Sequence, residues 1–354
     1  MRDGALFFEY DSNPDQDRAE SRAKAVTKPK FSVAPYRPSW WLPGGHLQTL
    51  GGKYLRRPGP FPLERERIDT TDGDFLDLDF GPDPNPEAPM VLLLHGLEGF
   101  THRPYMIQAA QALTSQGMAS VGLNFRSCSG EPNLQPRMYH SGGTEDVAHV
   151  LQFLKSRWPQ RSFGAIGFSL GGNVLMKLMG EREDGGTALL QAAVGISVPY
   201  DLAAGAVYMQ EGIPGWYYTR YFLRSLKEKV RAKEGLLKTV LDLEKVYAAE
   251  TLIEFDDHAT GPLHGFKDAA DYYRQCSCNQ FLHRIRVPTL LFHSRNDPFL
   301  PPRAIPHEAV AGNPVLFPAF ARRGGHVGFL AGAIPGLPTF WTEEEGTRFL
   351  REML

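Results

Sequence analysis

The chain has 354 residues, 42% hydrophobic and 22% charged, which excludes a disordered chain and leaves ample apolar material for a core. Its 38 Lys and Arg stand against 40 Asp and Glu, a net charge of −2, so no electrostatic pull toward nucleic acid or an anionic membrane surface is expected. Three cysteines, Cys128, Cys276 and Cys278, are too few for a disulfide framework and fit a reducing, cytoplasmic setting.

Residues 1–30 read as a polar N-terminal arm. Their apolar run Leu6-Phe7-Phe8 is too short for a signal peptide, and no stretch of the chain reaches the roughly 18 apolar residues that span a bilayer. From Pro38 to Leu50 the sequence is dense in Trp, Pro and Gly. Pro43 and the pair Gly44-Gly45 argue against a regular helix there, and Trp40-Trp41 read as anchors of a loop on the core. Residues 65–80 alternate as two strands around Asp72-Gly73. Met90–His95 is a short continuous apolar run, the signature of a strand buried on both faces.

A helix is predicted over Tyr105–Gln116 and a strand over Ala119–Phe125. Another helix spans Glu145–Arg157, with Val147, Val150, Leu151 and Leu154 on one face and Thr144 as its cap. Phe163–Phe168, Leu170–Gly180 and Leu189–Val198 continue the alternation as strand, helix and strand. It then stops: residues 201–280 hold charged, helix-prone segments such as Tyr217–Leu236 and Leu237–Glu250. It resumes with a strand at Val287–His293, a helix near Ala304–Ala311, a strand at Pro314–Phe317 and a last helix over Glu343–Leu354. The pattern predicts an α/β fold with a mostly parallel central sheet flanked by helices. The core occupies 31–200 and 281–354, and 201–280 form a helical cap insertion.

The sharpest motif is Gly167-Phe168-Ser169-Leu170-Gly171, at the end of one predicted strand and the start of a helix. A nucleophile elbow belongs there: small residues let strand and helix approach, the turn projects Ser169, and the helix N-terminus offers free N–H groups to a developing negative charge. A glycine-rich turn with an incidental serine is the plain alternative. A serine needs a base. His326 lies in the loop Arg323–Phe329, and Asp297 lies in Arg295–Phe299 just after a strand. The order Ser, Asp, His suits this fold, with Asp297 orienting His326. The oxyanion donors are expected to be the N–H groups of Leu170 and Leu97, with Glu98 as fallback for the second, in His95-Gly96-Leu97-Glu98-Gly99. His95 is read as a brace for that loop. No cofactor and no metal are called for. Asp256, Asp257, His258 and His264 lack metal spacing and read as solvated. Cys128, near Arg126 and His140, is a weak candidate for a reactive thiol. Trp216–Phe222 reads either as an acyl-pocket lining or as the apolar face of a packed helix.

With these segments the chain resembles the α/β-hydrolase-fold family of bacterial YheT-like proteins and eukaryotic membrane-anchored ABHD-type esterases and lipases. The resemblance rests on Trp40–Thr49, His95–Gly99, Asn124–Gly130, Tyr139–Gly142, Gly167–Asn173, Asn296–Phe299 and Gly324–Phe329. It implies Ser169, Asp297 and His326 as a triad, and short- to medium-chain acyl esters or monoacylglycerol-like lipids as substrates. The anchor of the eukaryotic relatives is missing, which implies a soluble enzyme. Ser127 stands where the family pattern has glycine. The His-x4-Asp motif of acyl-transferring relatives is absent, His140 to Glu145 coming nearest.

The expectation is a serine carboxylesterase working through an acyl-enzyme on a small-molecule ester, with no nucleic-acid partner and an oligomeric state that the sequence leaves open. An acyltransferase using an alcohol in place of water, and a non-catalytic binding module, are the alternatives. A histidine base must be neutral, so activity should fall as the pH drops through the ordinary imidazole range.

Overall fold

The computed structural model describes residues 31–354; the polar arm expected over 1–30 lies outside the described residues. Helix α1 (Gly44–Tyr54) precedes the hairpin β1 (Glu64–Asp69) and β2 (Phe75–Phe80). Then follow β3 (Met90–Leu94), α2 (Pro104–Ser115), β4 (Ala119–Asn124), α3 (Glu145–Arg157), β5 (Phe163–Phe168), α4 (Leu170–Glu181) and β6 (Ala192–Ile196). After a helical stretch come β7 (Thr289–Ser294) and β8 (Leu316–Ala321).

These eight strands form one sheet in the order β1-β2-β4-β3-β5-β6-β7-β8, parallel from β4 onward. Alternation along each strand feeds two cores. Met90, Leu92 and Leu94 face the core under α3 and α4, while Val91 and Leu93 face the one under α2. Because the central strands are parallel, the loops that leave their C-terminal ends crowd one edge of the sheet.

Between β6 and β7 lie α5 (Leu202–Tyr208), the long α6 (Gly212–Ala232) and the short α7 (Glu234–Leu237), α8 (Leu243–Ala248) and α9 (Leu252–Phe255). A π-helical turn (Asp256–Thr260) leads to α10 (Gly261–His264) and α11 (Ala269–Cys276). Leu223, Leu226, Val230, Val246 and Phe255 give this stretch a core of its own, which Met138 joins. The chain closes through α12 (His307–Ala311) and the two-residue strands β9 (Leu330–Ala331) and β10 (Thr339–Phe340) into α13 (Trp341–Met353).

Several expectations need correction. Pro43 does not prevent a helix: it occupies the cap position of α1, before any N–H is needed, and the glycines open the first turn. Trp40 is 71% exposed; the pair is held by indole N–H bonds to the carbonyls of Ala333 and Gly332, not by burial. Thr144 makes no cap bond, because its hydroxyl donates to Glu181. β8 runs past Pro318, which an edge strand tolerates. The helix expected at Ala304–Ala311 is split by Pro306. The two long helices expected over 217–250 break instead at 238–242, where Asp242 caps α8.

Candidate active site

Ser169 occupies the turn between β5 and α4 with φ 50° and ψ −118°. This strained conformation persists because its surroundings leave no alternative. The Ser169 N–H donates to Ile196 O at 2.8 Å. A Cβ on Gly171 would lie 2.5 Å from Leu94 O and 2.7 Å from His95 O, so only glycine lets α4 sit this close to β3.

The three sequence-predicted side chains meet at the sheet edge. His326 Nε2 lies 2.9 Å from Ser169 Oγ, and His326 Nδ1 lies 2.7 Å from Asp297 Oδ2. Asp297 is 1% and His326 8% exposed. With Nδ1–H donating to the carboxylate, Nε2 is left to accept the Ser169 hydroxyl proton. The other Asp297 oxygen accepts the Phe299 N–H at 2.8 Å, which fixes the carboxylate plane.

The loop carrying His326 is held by groups the sequence reading did not single out. The His326 N–H donates to Thr49 Oγ1 and the Val327 N–H to Ser197 Oγ, each at 2.9 Å. Asn296 Oδ1 accepts from the N–H groups of Gly324 and Gly325. Gly45 lets α1 approach: a Cβ there would fall 1.8 Å from Asn296 O. Arg56, buried and paired with Glu343 of α13, donates to Val327 O at 3.0 Å. Thr49 and Asn296 fall inside segments that carried the family resemblance, which was the available signal. Ser197 had none.

On the opposite side, the loop after β3 presents three consecutive amides. Gly96 N–H donates to the Tyr105 hydroxyl at 3.0 Å and Glu98 N–H to the Tyr139 hydroxyl at 2.8 Å. The Leu97 N–H between them, like that of Leu170 at the head of α4, donates to no protein acceptor among the described residues. The amide of Glu98, the fallback donor, is engaged by the Tyr139 hydroxyl, whereas that of Leu97 is not engaged among the described residues. The Glu98 carboxylate is buried against Ser225 and Lys229 of α6, and so ties this loop to the helical stretch. His95 bridges Gly96 O and the Phe125 N–H, and burial pushes its imidazole down to about 3, so it is neutral.

The competing candidates resolve structurally. Burial pushes the Cys128 thiol up to about 11, and Lys229 contacts its sulfur at 2.9 Å, an inert setting. Arg126 is taken up by Asp72, Asp74 and Asp146. Ser127 has φ 61°, the left-handed conformation that the family's glycine would adopt freely, and its hydroxyl is held by Asn133. Asp256, Asp257, His258 and His264, expected as solvated, are half-buried. Burial raises Asp256 to about 6 against the opposing bonds from Thr260 and Tyr273, and lowers His264 to about 4. His264 lies against the His140 ring, centroids 4.2 Å apart. No metal-holding group of these residue types occurs among the described residues.

Two cavities open from the serine and share Leu97, Ser169, Phe222, Phe299 and His326. The first, about 140 Å³, runs between aliphatic side chains such as Leu202, Met209, Leu226 and Leu252, with Asp256, His140 and His264 also in its lining. The second, about 330 Å³, is lined by Thr49, Lys53, Tyr54, Arg103, Tyr221 and Val327, among others. Within Trp216–Phe222, Phe222 enters both walls and Tyr217 the second, while Trp216 is 57% exposed. The segment is part of a helix that also lines the cavities beside the serine.

Comparison with known proteins agrees with this fold. The α/β hydrolase fold family model matches residues 89–330. YheT of Escherichia coli (strain K12) is 38% identical over 323 residues, 88% of this chain and 92% of its own. Phospholipase ABHD3 of Homo sapiens is 30% identical over 312 residues, 86% of this chain and 76% of its own. A monoacylglycerol lipase of Saccharomyces cerevisiae is 28% identical over 68% of this chain and 55% of its own. Among solved structures, the Pyrococcus furiosus esterase Pf2001 shares the fold, with a TM-score of 0.53 and 17% identity over 92% of this chain and 98% of that one. No helix among the described residues is long and apolar enough to cross a membrane. The chain belongs to the α/β-hydrolase fold family, among its YheT-like and ABHD-type esterase and lipase members.

Proposed function

We propose that the chain is a serine carboxylesterase acting on short- to medium-chain acyl esters, including monoacylglycerol-like lipids. The observation that carries this reading is the unbroken chain of contacts Ser169 Oγ–His326 Nε2 at 2.9 Å and His326 Nδ1–Asp297 Oδ2 at 2.7 Å, opening on an apolar cavity. Ser169 attacks the ester carbonyl while His326 takes its proton. The N–H groups of Leu97 and Leu170 receive the charge on the carbonyl oxygen. His326 then returns the proton to the departing alkoxide, leaving an acyl-enzyme. Water, deprotonated by the same histidine, adds to the acyl carbon and releases the acid. Asp297 orients the imidazole and balances its transient charge.

Residues 201–280 act as a cap, a role supported by the contribution of α5, α6, α9, α10 and α11 to the cavity walls. The apolar cavity is small, about 140 Å³, which favours short to medium acyl chains. The relatives named phospholipase and monoacylglycerol lipase support acyl esters as the substrate class. Three free, buried cysteines are consistent with a reducing, cytoplasmic setting.

The test is hydrolysis of p-nitrophenyl esters together with labelling by a fluorophosphonate. Ser169→Ala should keep the fold by circular dichroism, lose labelling, and lose turnover by at least about a thousandfold. Near-normal hydrolysis by that variant would end the proposal. Ester products appearing when ethanol is present would shift the reading to acyl transfer.

A further inference from the structure

The two cavities differ in chemistry, and that difference says which half of an ester each one takes. Resting on the esterase reading, we propose that the second cavity receives the alcohol half, and that this half carries an anionic oxygen group, a phosphate or carboxylate, met by Lys53 and Arg103.

The direction follows from the proton. The leaving oxygen must face the His326 Nε2–H. Thr49, which accepts the His326 backbone N–H, and Val327, its neighbour, line the second cavity and not the first. The first cavity is walled mainly by hydrocarbon, which suits an acyl tail.

The sign of the charge follows from what is left unpaired. Four charged side chains line the second cavity: Lys53, Arg56, Arg103 and Glu98. Arg56 is neutralised by Glu343 and Glu98 by Lys229. Neither Lys53 nor Arg103 has a carboxylate within ion-pair distance among the described residues. The cavity therefore keeps two uncompensated cations and no uncompensated anion, in a chain whose overall charge is slightly negative.

Both cations rest on aromatic rings. Lys53 Nζ sits 4.1 Å from the ring centroid of Tyr221 and 5.3 Å from that of Tyr54. Arg103 stacks at 4.7 Å on Phe100 and spends one N–H on Glu98 O at 2.9 Å, leaving further donors of the guanidinium fork. The aromatic faces of Tyr54 and Tyr221 already carry the lysine ammonium, so a quaternary ammonium group finds its natural platform taken.

The experiment compares butyryl esters that differ only in the alcohol: glycerol, glycerol phosphate, lactate and choline. At low ionic strength kcat/KM for the glycerol phosphate or the lactate ester should exceed that for the glycerol ester by about five- to tenfold, mainly through KM, with the choline ester poorest. The two anionic esters tell phosphate from carboxylate. The preference should shrink as salt is added. Lys53→Glu should invert the ratio and Lys53→Gln should flatten it. Because each ratio is taken within one variant, a general loss of activity cancels. A wild-type ratio of one or less, or a ratio that neither Lys53 variant moves, overturns the proposal. Failure to hydrolyse any of the four esters would instead strike the esterase reading beneath it.

Discussion

The sheet edge and the helical stretch over residues 201–280 contribute to the same cavities by different means. At the edge, function lies in the backbone. Ser169, Glu98, Ser197 and Val327 all have positive φ, and Gly171 and Gly45 sit where no Cβ fits. Along the stretch, Phe222, Leu226, Leu252 and Leu263 come from ordinary helical backbone and act through side-chain bulk. The lesson is that reactivity here depends on angles that tolerate almost no change, while selectivity depends on volumes that can be traded.

The comparison breaks hardest at the edge. Asp297→Asn should lower kcat by roughly a hundred- to ten-thousandfold with little change in fold, since the imidazole then loses its tautomer control. A fall of less than about tenfold in stopped-flow or steady-state assays would mean that Asp297 does not orient the base. Along the stretch a far gentler response is expected. Leu263, His140 and His264 line both the apolar cavity and a groove on the outer surface, and so form the partition between them. Leu263→Ala should raise kcat/KM for decanoyl relative to butyryl esters by about fivefold, as the tail gains room. An unchanged chain-length profile would move the end of the cavity elsewhere.

The smallest effect concerns stability. The folded Asp256 titrates near 6, above its ordinary range, because burial penalises its charge. A raised carboxyl gives stability that is complete below about pH 4 and is lost as the pH rises through about 6. Asp256→Asn should therefore melt a few degrees higher than the wild type at pH 8 and show no such gain at pH 4 in calorimetry. An equal shift at both pH values would detach the effect from the proton.

What was legible in the sequence follows the same division. The strands read correctly because Met90–Leu94 and Phe163–Phe168 are buried on both faces and have little but apolar residues. Ser169, Asp297 and His326 were found because each sits in a short, composition-biased turn after a strand. Thr49 and Ser197 were not, since a hydroxyl that accepts one amide leaves no mark on local pattern. Asp256 and His264 were read as solvated for a related reason: charged letters suggest water, and only tertiary packing set Asp256 against Tyr273 and His264 against His140. Helix α1 was missed because Pro43 was counted as a breaker when it was a starting point.

Arg56, two residues past the end of α1, reaches to α13 on one side and to the carbonyl of Val327 on the other. Through it the closing helix, which does not touch the serine, is mechanically coupled to the imidazole. Glu343→Gln would leave a buried guanidinium without its counter-ion, at a cost of about 3–5 kcal/mol. Damage done at the tail would then be felt at His326.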